Sequence, residues 1–144
     1  MIVLYILLGI LGLFLTFVLW FFLTAVILSL FVKMDKDYES DSKIYRWFIN
    51  VTGAIVTFFS GSKIVITGAE KLPDTKRIVL VSNHVSNFDP IIGWYAFRRY
   101  QPSFISKEAN FHIPWFGRII HRSLFMPIDR ENPLNAIRPM RHAI

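Results

Sequence analysis

The sequence predicts an α/β domain that follows N-terminal membrane helices. Three observations lead there: an uncharged apolar run at the start, a second apolar stretch with helical spacing, and short β-branched runs alternating with helix signals from Gly61 onward. Composition agrees. Of the 144 residues 53% are hydrophobic, a high share for a soluble domain, and the net charge is +6. There is no cysteine, so a disulfide framework, thiolate metal ligands and thiol redox chemistry are all excluded.

From Ile2 to Val32 the chain carries no charge, and its aliphatic hydroxyls are confined to Thr16, Thr24 and Ser29. As a helix this run would measure roughly 46 Å, against a hydrocarbon core of roughly 30 Å. One long tilted helix is the preferred reading, with Gly9 and Gly12 as soft points; a re-entrant helical hairpin is the alternative. A secretory signal peptide fits poorly, since no basic residue precedes the run, the run is too long, and no A-x-A-like site follows. Lys33, Lys36, Lys43 and Arg46 all come after it, so the positive-inside rule places the remainder on the cytoplasmic side of an inner or plasma membrane.

Met34 to Lys43 is polar and reads as a connector at the membrane surface. Beyond it, Ile44, Trp47, Phe48, Val51, Ile55, Phe58 and Phe59 recur at three- and four-residue steps. That spacing predicts a helix lying in the interface plane, with Trp47 and the phenylalanines at headgroup depth and Arg46 against anionic phosphates. An ordinary core helix is the alternative. Residues 1–60 are therefore expected to form a membrane anchor, a transmembrane helix plus an interfacial helix, and residues 61–144 a separate domain.

In that domain Lys63 to Thr67 and Arg77 to Ser82 have the β-branched, apolar character of strands, with Pro73 and Asp74 in the turn between them. Asp89 followed by Pro90 marks a helix start, and the helix should run to about Arg99. Ser103 to Ser106 is expected as a short strand, Pro114 to Arg122 as a short helix and Leu124 to Ile128 as another strand. Asn132 to Ile144 should begin a further helix, kinked or shortened by Pro139. The alternation predicts a partly parallel sheet.

The segment Asn83-His84-Val85-Ser86-Asn87-Phe88-Asp89 leaves a strand and enters a helix. With His and Asp five apart in such a turn, the carboxylate can accept a hydrogen bond from one imidazole nitrogen and leave the other facing outward as an acceptor. An imidazole held this way takes a proton from a hydroxyl, and the carboxylate stabilises the imidazolium that forms. Attack of an alcohol on an activated acyl group is the chemistry this suits. On spacing alone Asp89 is equally a helix cap and His84 a loop residue, and two ligands are too few for a metal site.

Four blocks in order raise the specificity of the match. Asn83, His84 and Asp89 fit an NH-x4-D signature behind the predicted strand Arg77-Ile-Val-Leu-Val-Ser82, and Gly68-Ala-Glu-Lys-Leu-Pro73 precedes that strand. Lys107-Glu-Ala-Asn-Phe-His-Ile-Pro-Trp-Phe-Gly117 and Phe125-Met-Pro-Ile-Asp-Arg130 follow. In these blocks the chain resembles the 1-acyl-glycerol-3-phosphate acyltransferase family. The resemblance implies a glycerolipid acyltransferase-like αβ domain in which His84 is the general base and Asp89 orients and charges it. It implies that Arg130, with Lys107 beside it as a second cation, binds the phosphate of a lysophosphatidic acid acceptor. A guanidinium suits that task because its forked donors match phosphate oxygens. The acyl donor would be acyl-CoA or acyl carrier protein, with no cofactor or metal.

The basic surplus after Asp89, including Arg118 and Arg122 one helical turn apart, would attract anionic phosphates and an anionic membrane face. No groove-reading motif accompanies it, which argues against nucleic acid as the partner. The family's E-G-T-R motif and later proline motif do not occur before Ile144, so the αβ domain is expected to be truncated at its C-terminus, with the remainder encoded beyond. A non-catalytic membrane-bound remnant is the competing expectation. A lipid or thioester hydrolase is remote, because no serine nucleophile elbow is present.

Overall fold

The computed structural model describes residues 1–73, 79–83, 86 and 88–128. Its first element, α1 (Ile2–Leu30), is one unbroken helix of 29 residues that passes through Gly9 and Gly12 without a bend partner nearby. This is the single-helix form expected, not a hairpin, and among the described residues it is the one helix long and apolar enough to cross a membrane. Its aliphatic hydroxyls are satisfied within the helix: Thr16 donates to the Gly12 carbonyl at 2.8 Å, Thr24 to that of Trp20 at 2.9 Å and Ser29 to that of Val26 at 2.7 Å.

Burial divides α1 in two. Residues 1–20 are exposed throughout, while Ala25 and Ser29 are buried and Phe21 and Leu28 pack onto the core. The partner elements are α2 (Lys43–Phe59) and α5 (Phe116–Arg122). Together they enclose Ala25, Val32, Tyr45, Phe48 and Ile119, with Phe21 stacked on Phe48 at 5.0 Å between ring centroids.

On α2 the buried residues are Tyr45, Arg46, Phe48 and Gly53, whereas Ile44, Trp47, Phe58 and Phe59 remain exposed. Arg46 corrects the sequence expectation. Only 7% exposed, it faces inward: its Nε donates to Asp41 Oδ2 and its Nη1 to the Pro102 carbonyl at 2.6 Å, and its guanidinium lies 4.5 Å from the Trp94 ring centroid. The physical reason is that a charge so far from water persists only when paired, and Asp41, the last carboxylate of the connector, supplies the pair.

A second cluster joins α3 (Asp89–Ala96) to a small sheet. Trp94 is buried between Phe104 and Phe125, at 5.9 and 5.2 Å, and its indole N–H donates to Asn50 Oδ1 of α2 at 2.7 Å. The sheet consists of β1 (Ile105–Lys107) and β2 (Met126–Ile128), parallel, with Ile105 opposite Met126, Ser106 opposite Pro127 and Lys107 opposite Ile128. The short helix α4 (Glu108–Phe111) and α5 form the crossover between them. The parallel pair and its helical crossover match the α/β expectation, each strand starting two residues later than predicted and α5 starting at Phe116 rather than Pro114.

Two predicted strands are not found among the described residues. Residues 63–67 form no ladder, and of the 77–82 run the described part, 79–82, is likewise unpaired among the described residues. Val65 and Val79 are each 70% exposed and Val81 is 91% exposed. β-branched residues favour a strand only where a neighbouring edge and a buried face receive them, and the described sheet offers these runs neither. Asp74 of the expected turn and the expected helix over Asn132 to Ile144 lie outside the described residues. The helix from Pro90 to about Arg99 ends earlier, at Ala96, and is followed by a 3₁₀ turn, Arg98–Tyr100, closed by Gln101 at φ 53°.

The block Ile113 to Gly117 has a steric basis. Trp115 turns the chain at φ 55°, a strained value for a side-chain-bearing residue, held by an edge-on contact with Phe22 of α1 at 5.7 Å. A Cβ at Gly117 would run into the backbone carbonyl of Phe111. Gly117→Ala should therefore force α4 and α5 apart and cost about 1–3 kcal/mol, read as a lowered Tm in detergent micelles; an unchanged Tm would refute the close approach. Asp41→Ala should cost about 3 kcal/mol by leaving Arg46 buried without its carboxylate. Urea unfolding of the same preparation checks it, and a loss below about 0.5 kcal/mol would class the pair with exposed ones.

Candidate active site

Asp89 opens α3, but its carboxylate does not cap that helix. Oδ2 turns back to accept the Ser86 backbone N–H at 2.9 Å, while the Asp89 N–H donates to the Ser86 carbonyl at 3.1 Å and the Phe88 N–H to Ser86 Oγ at 3.1 Å. These bonds close a tight turn at the entrance to α3, with Pro90 in its first turn, where the missing N–H costs nothing. Asp89 is half-buried, so it combines a fixed orientation with access to a neighbouring group. His84 and Arg130 lie outside the described residues, and Asn83 is exposed.

Lys107 ends β1 opposite Ile128, the last residue of β2. It is exposed, and the parallel register puts it at the carboxyl end of the strand pair. In parallel α/β sheets that end is where ligands bind. Behind it, Asn110 of α4 donates from Nδ2 to Ser106 Oγ at 2.8 Å and fixes the start of the crossover. Asp89 and Lys107 thus occupy an α3 entrance and a strand end that share the Trp94, Phe104 and Phe125 cluster as their support. Among the described residues no group of three His, Asp or Glu side chains is placed to hold a metal.

Arg118 and Arg122 differ from the headgroup contacts expected. Arg118 Nη1 approaches the Ser29 and Val32 carbonyls at 3.5 and 3.4 Å, Arg122 Nη1 donates to the Ser40 carbonyl at 2.9 Å, and His121 Nε2 meets the Lys36 carbonyl at 3.0 Å. One face of α5 therefore grips the end of α1 and the connector. The cause is the partial negative charge of carbonyls at the end of α1 and along the connector, which attracts cationic donors. Tyr45 joins them, its hydroxyl donating to the Leu28 carbonyl at 2.8 Å. Burial pushes the Tyr45 phenol above its ordinary pKa, Arg122 opposes that rise and Tyr38 adds to it. The phenol stays protonated as a donor. Sequence reasoning missed Tyr45, His121 and the inward Arg46. The only signal for Arg46 was a carboxylate five residues upstream, which spacing rules do not pair.

Comparison with known proteins places these features in context. The acyltransferase family model matches residues 63–144. A protein of Arabidopsis thaliana named "Probable 1-acyl-sn-glycerol-3-phosphate acyltransferase 5" is 25% identical over 122 residues, covering 82% of this chain and 32% of that one. The 1-acyl-sn-glycerol-3-phosphate acyltransferase of Bacillus subtilis is 27% identical over 90 residues, 62% of this chain and 44% of its own length. That of Borreliella burgdorferi is 35% identical over 43 residues, 30% and 17% respectively. The chain thus spans less than half the length of these curated relatives. No solved structure matches it.

The turn at Asp89 gives a direct check. Asp89→Ala removes the acceptor of the Ser86 amide and should cost about 1 kcal/mol, whereas Asp89→Asn keeps an oxygen acceptor and should cost less than half of that. Thermal unfolding of the two variants side by side measures it, and equal losses would show that the bond to Ser86 does not hold the turn.

Proposed function

We propose, from the premise that this chain belongs to the acyltransferase family, that it carries the base of an enzyme that acylates 1-acyl-glycerol 3-phosphate to phosphatidic acid. The observation that carries the reading is the Asp89 turn: a half-buried carboxylate fixed at a helix entrance, five residues after His84, inside the span matched by the family. His84 takes the proton of the acceptor hydroxyl as its oxygen attacks the thioester carbonyl of acyl-CoA or acyl carrier protein. The tetrahedral intermediate collapses by breaking the C–S bond, and the imidazolium returns the proton to the leaving thiolate. Asp89 stabilises the imidazolium and holds its tautomer. Lys107 and Arg130 bind the acceptor phosphate; for Lys107 the support is its exposed position at the strand end.

The same reading puts residues 1–60 in the membrane as an anchor and the domain from residue 61 on its cytoplasmic face. As a helix, the exposed segment from Ile2 to Trp20 spans about 28 Å, close to a hydrocarbon thickness of about 30 Å, so the excess length of the apolar run is taken up by the part docked on α2 and α5. The exposed Ile44, Trp47, Phe58 and Phe59 suit α2 to the interface.

The test is acyl transfer from a labelled thioester to lysophosphatidic acid, using membranes that hold the protein expressed from its own reading frame. His84→Ala should lower the rate by about 10³-fold or more, and Asp89→Asn by about 10²-fold or more, with both variants retained in the membrane at normal levels. An unsubstituted protein that folds and makes no phosphatidic acid, or a His84→Ala variant of undiminished rate, would overturn the assignment.

A further inference from the structure

A cavity of about 550 Å³ opens where α1 ends, between the connector, the start of α2 and Arg122 of α5. Its size is within the range of sites that hold small ligands. Three cations line it, Lys33, Lys36 and Arg122, and among the described residues none of them has a carboxylate partner. Asp41 is committed to Arg46, and Asp35, Asp37 and Glu39 of the connector form no ion pair with any of the three.

The fold does not need these lysines to satisfy the end of α1. Tyr45 serves the Leu28 carbonyl, and Arg118 serves those of Ser29 and Val32. Arg122 is held in place by its bond to the Ser40 carbonyl and by the Tyr38 ring, 4.5 Å from its guanidinium carbon. The Lys36 ammonium lies 5.4 Å from the centroid of the same ring. Like charges gathered in one concavity repel each other unless an anion sits among them. The lining also has an apolar part, and two of its members, Phe31 and Ile44, are 76% and 61% exposed.

We infer that this cavity binds the phosphate of an anionic lipid headgroup, with the acyl chains leaving along Phe31 and Ile44. Neither Asp89 nor Lys107 lines it, so among the described residues it shares no side chain with the proposed acceptor site. Free phosphate shares the headgroup chemistry; the apolar part of the lining and the position at the end of α1 favour the lipid. The lipid source rests on α1 being a membrane helix, and the cluster of cations does not.

The purified chain in neutral detergent micelles, doped with equal amounts of phosphatidic acid and phosphatidylcholine, is examined by native mass spectrometry. Phosphatidic acid should be retained in preference to phosphatidylcholine, and the double variant Lys33→Gln, Lys36→Gln should retain it about tenfold less well. Lys63→Gln, Lys71→Gln, with the same loss of charge at exposed positions outside the cavity, should retain it normally. Equal retention of both lipids, or equal loss in both double variants, would overturn the site. Inorganic phosphate titrated by calorimetry should bind far more weakly than the lipid; equal affinity would assign the cavity to free phosphate and overturn the lipid. Flotation with pure phosphatidylcholine vesicles tests α1 separately. Failure to float would refute the membrane reading whatever the micelle result, and flotation of the Lys33→Gln, Lys36→Gln variant should be unimpaired.

Discussion

The buried guanidinium of Arg46 is the contact on which the rest of the arrangement depends. It ties α2 to the connector through Asp41, to the approach to β1 through the Pro102 carbonyl, and to α3 through the face of Trp94. A cation this far from water is costly unless every partner is in place, so the three segments are ordered together or not at all. Trp94 extends the link, because its indole N–H holds Asn50 while its ring packs between Phe104 and Phe125. The helix that begins at Asp89 is thereby positioned from the same α2 that packs against the apolar end of α1.

Around that link the molecule has two supports of different chemistry. One is the core of Ala25, Val32, Tyr45, Phe48 and Ile119, which binds α1 to α2 and α5 mainly by burial. The other is polar: α5 presents Arg118, His121 and Arg122 to carbonyls at the end of α1 and along the connector. The first would let α1 slide or rotate on its neighbours, since apolar contacts are not directional. The second fixes its end, because each donor meets a particular carbonyl. The positive face of α5, which composition alone assigns to solvent or lipid, is in large part an internal fastening.

This arrangement bears on the proposed chemistry. An acyl-transfer base needs a fixed imidazole, and the Asp89 carboxylate is held by the Ser86 amide at the entrance of a helix braced by Trp94. On the proposed reading a membrane-derived acceptor needs the site at a set height above the lipid, and the fastening of α1 to α5 would carry that height to the parallel strands where Lys107 stands. The segments α1, α2 and α5 are thus connected through packed side chains.

Much of this was legible in the residues. The helical nature of α1 follows from an apolar run without proline or charge, the start of α3 from Asp89-Pro90, and the parallel pair from short apolar segments separated by a helical crossover. The motif blocks, Asn83-His84 with Asp89 above all, pointed to acyl transfer before any geometry was known. All of these are local patterns in which the signal and its cause lie within a few residues. Tertiary structure alone decided which way Arg46 faces, because its fate depends on Pro102 and Trp94, about fifty residues away. It likewise decided that the β-branched runs near Val65 and Val81 form no ladder among the described residues, since a strand exists only where another edge accepts it. And it decided that basic residues on α5 close on backbone carbonyls at the end of α1 and along the connector, because charge in a sequence states an affinity, and only the fold supplies the partner.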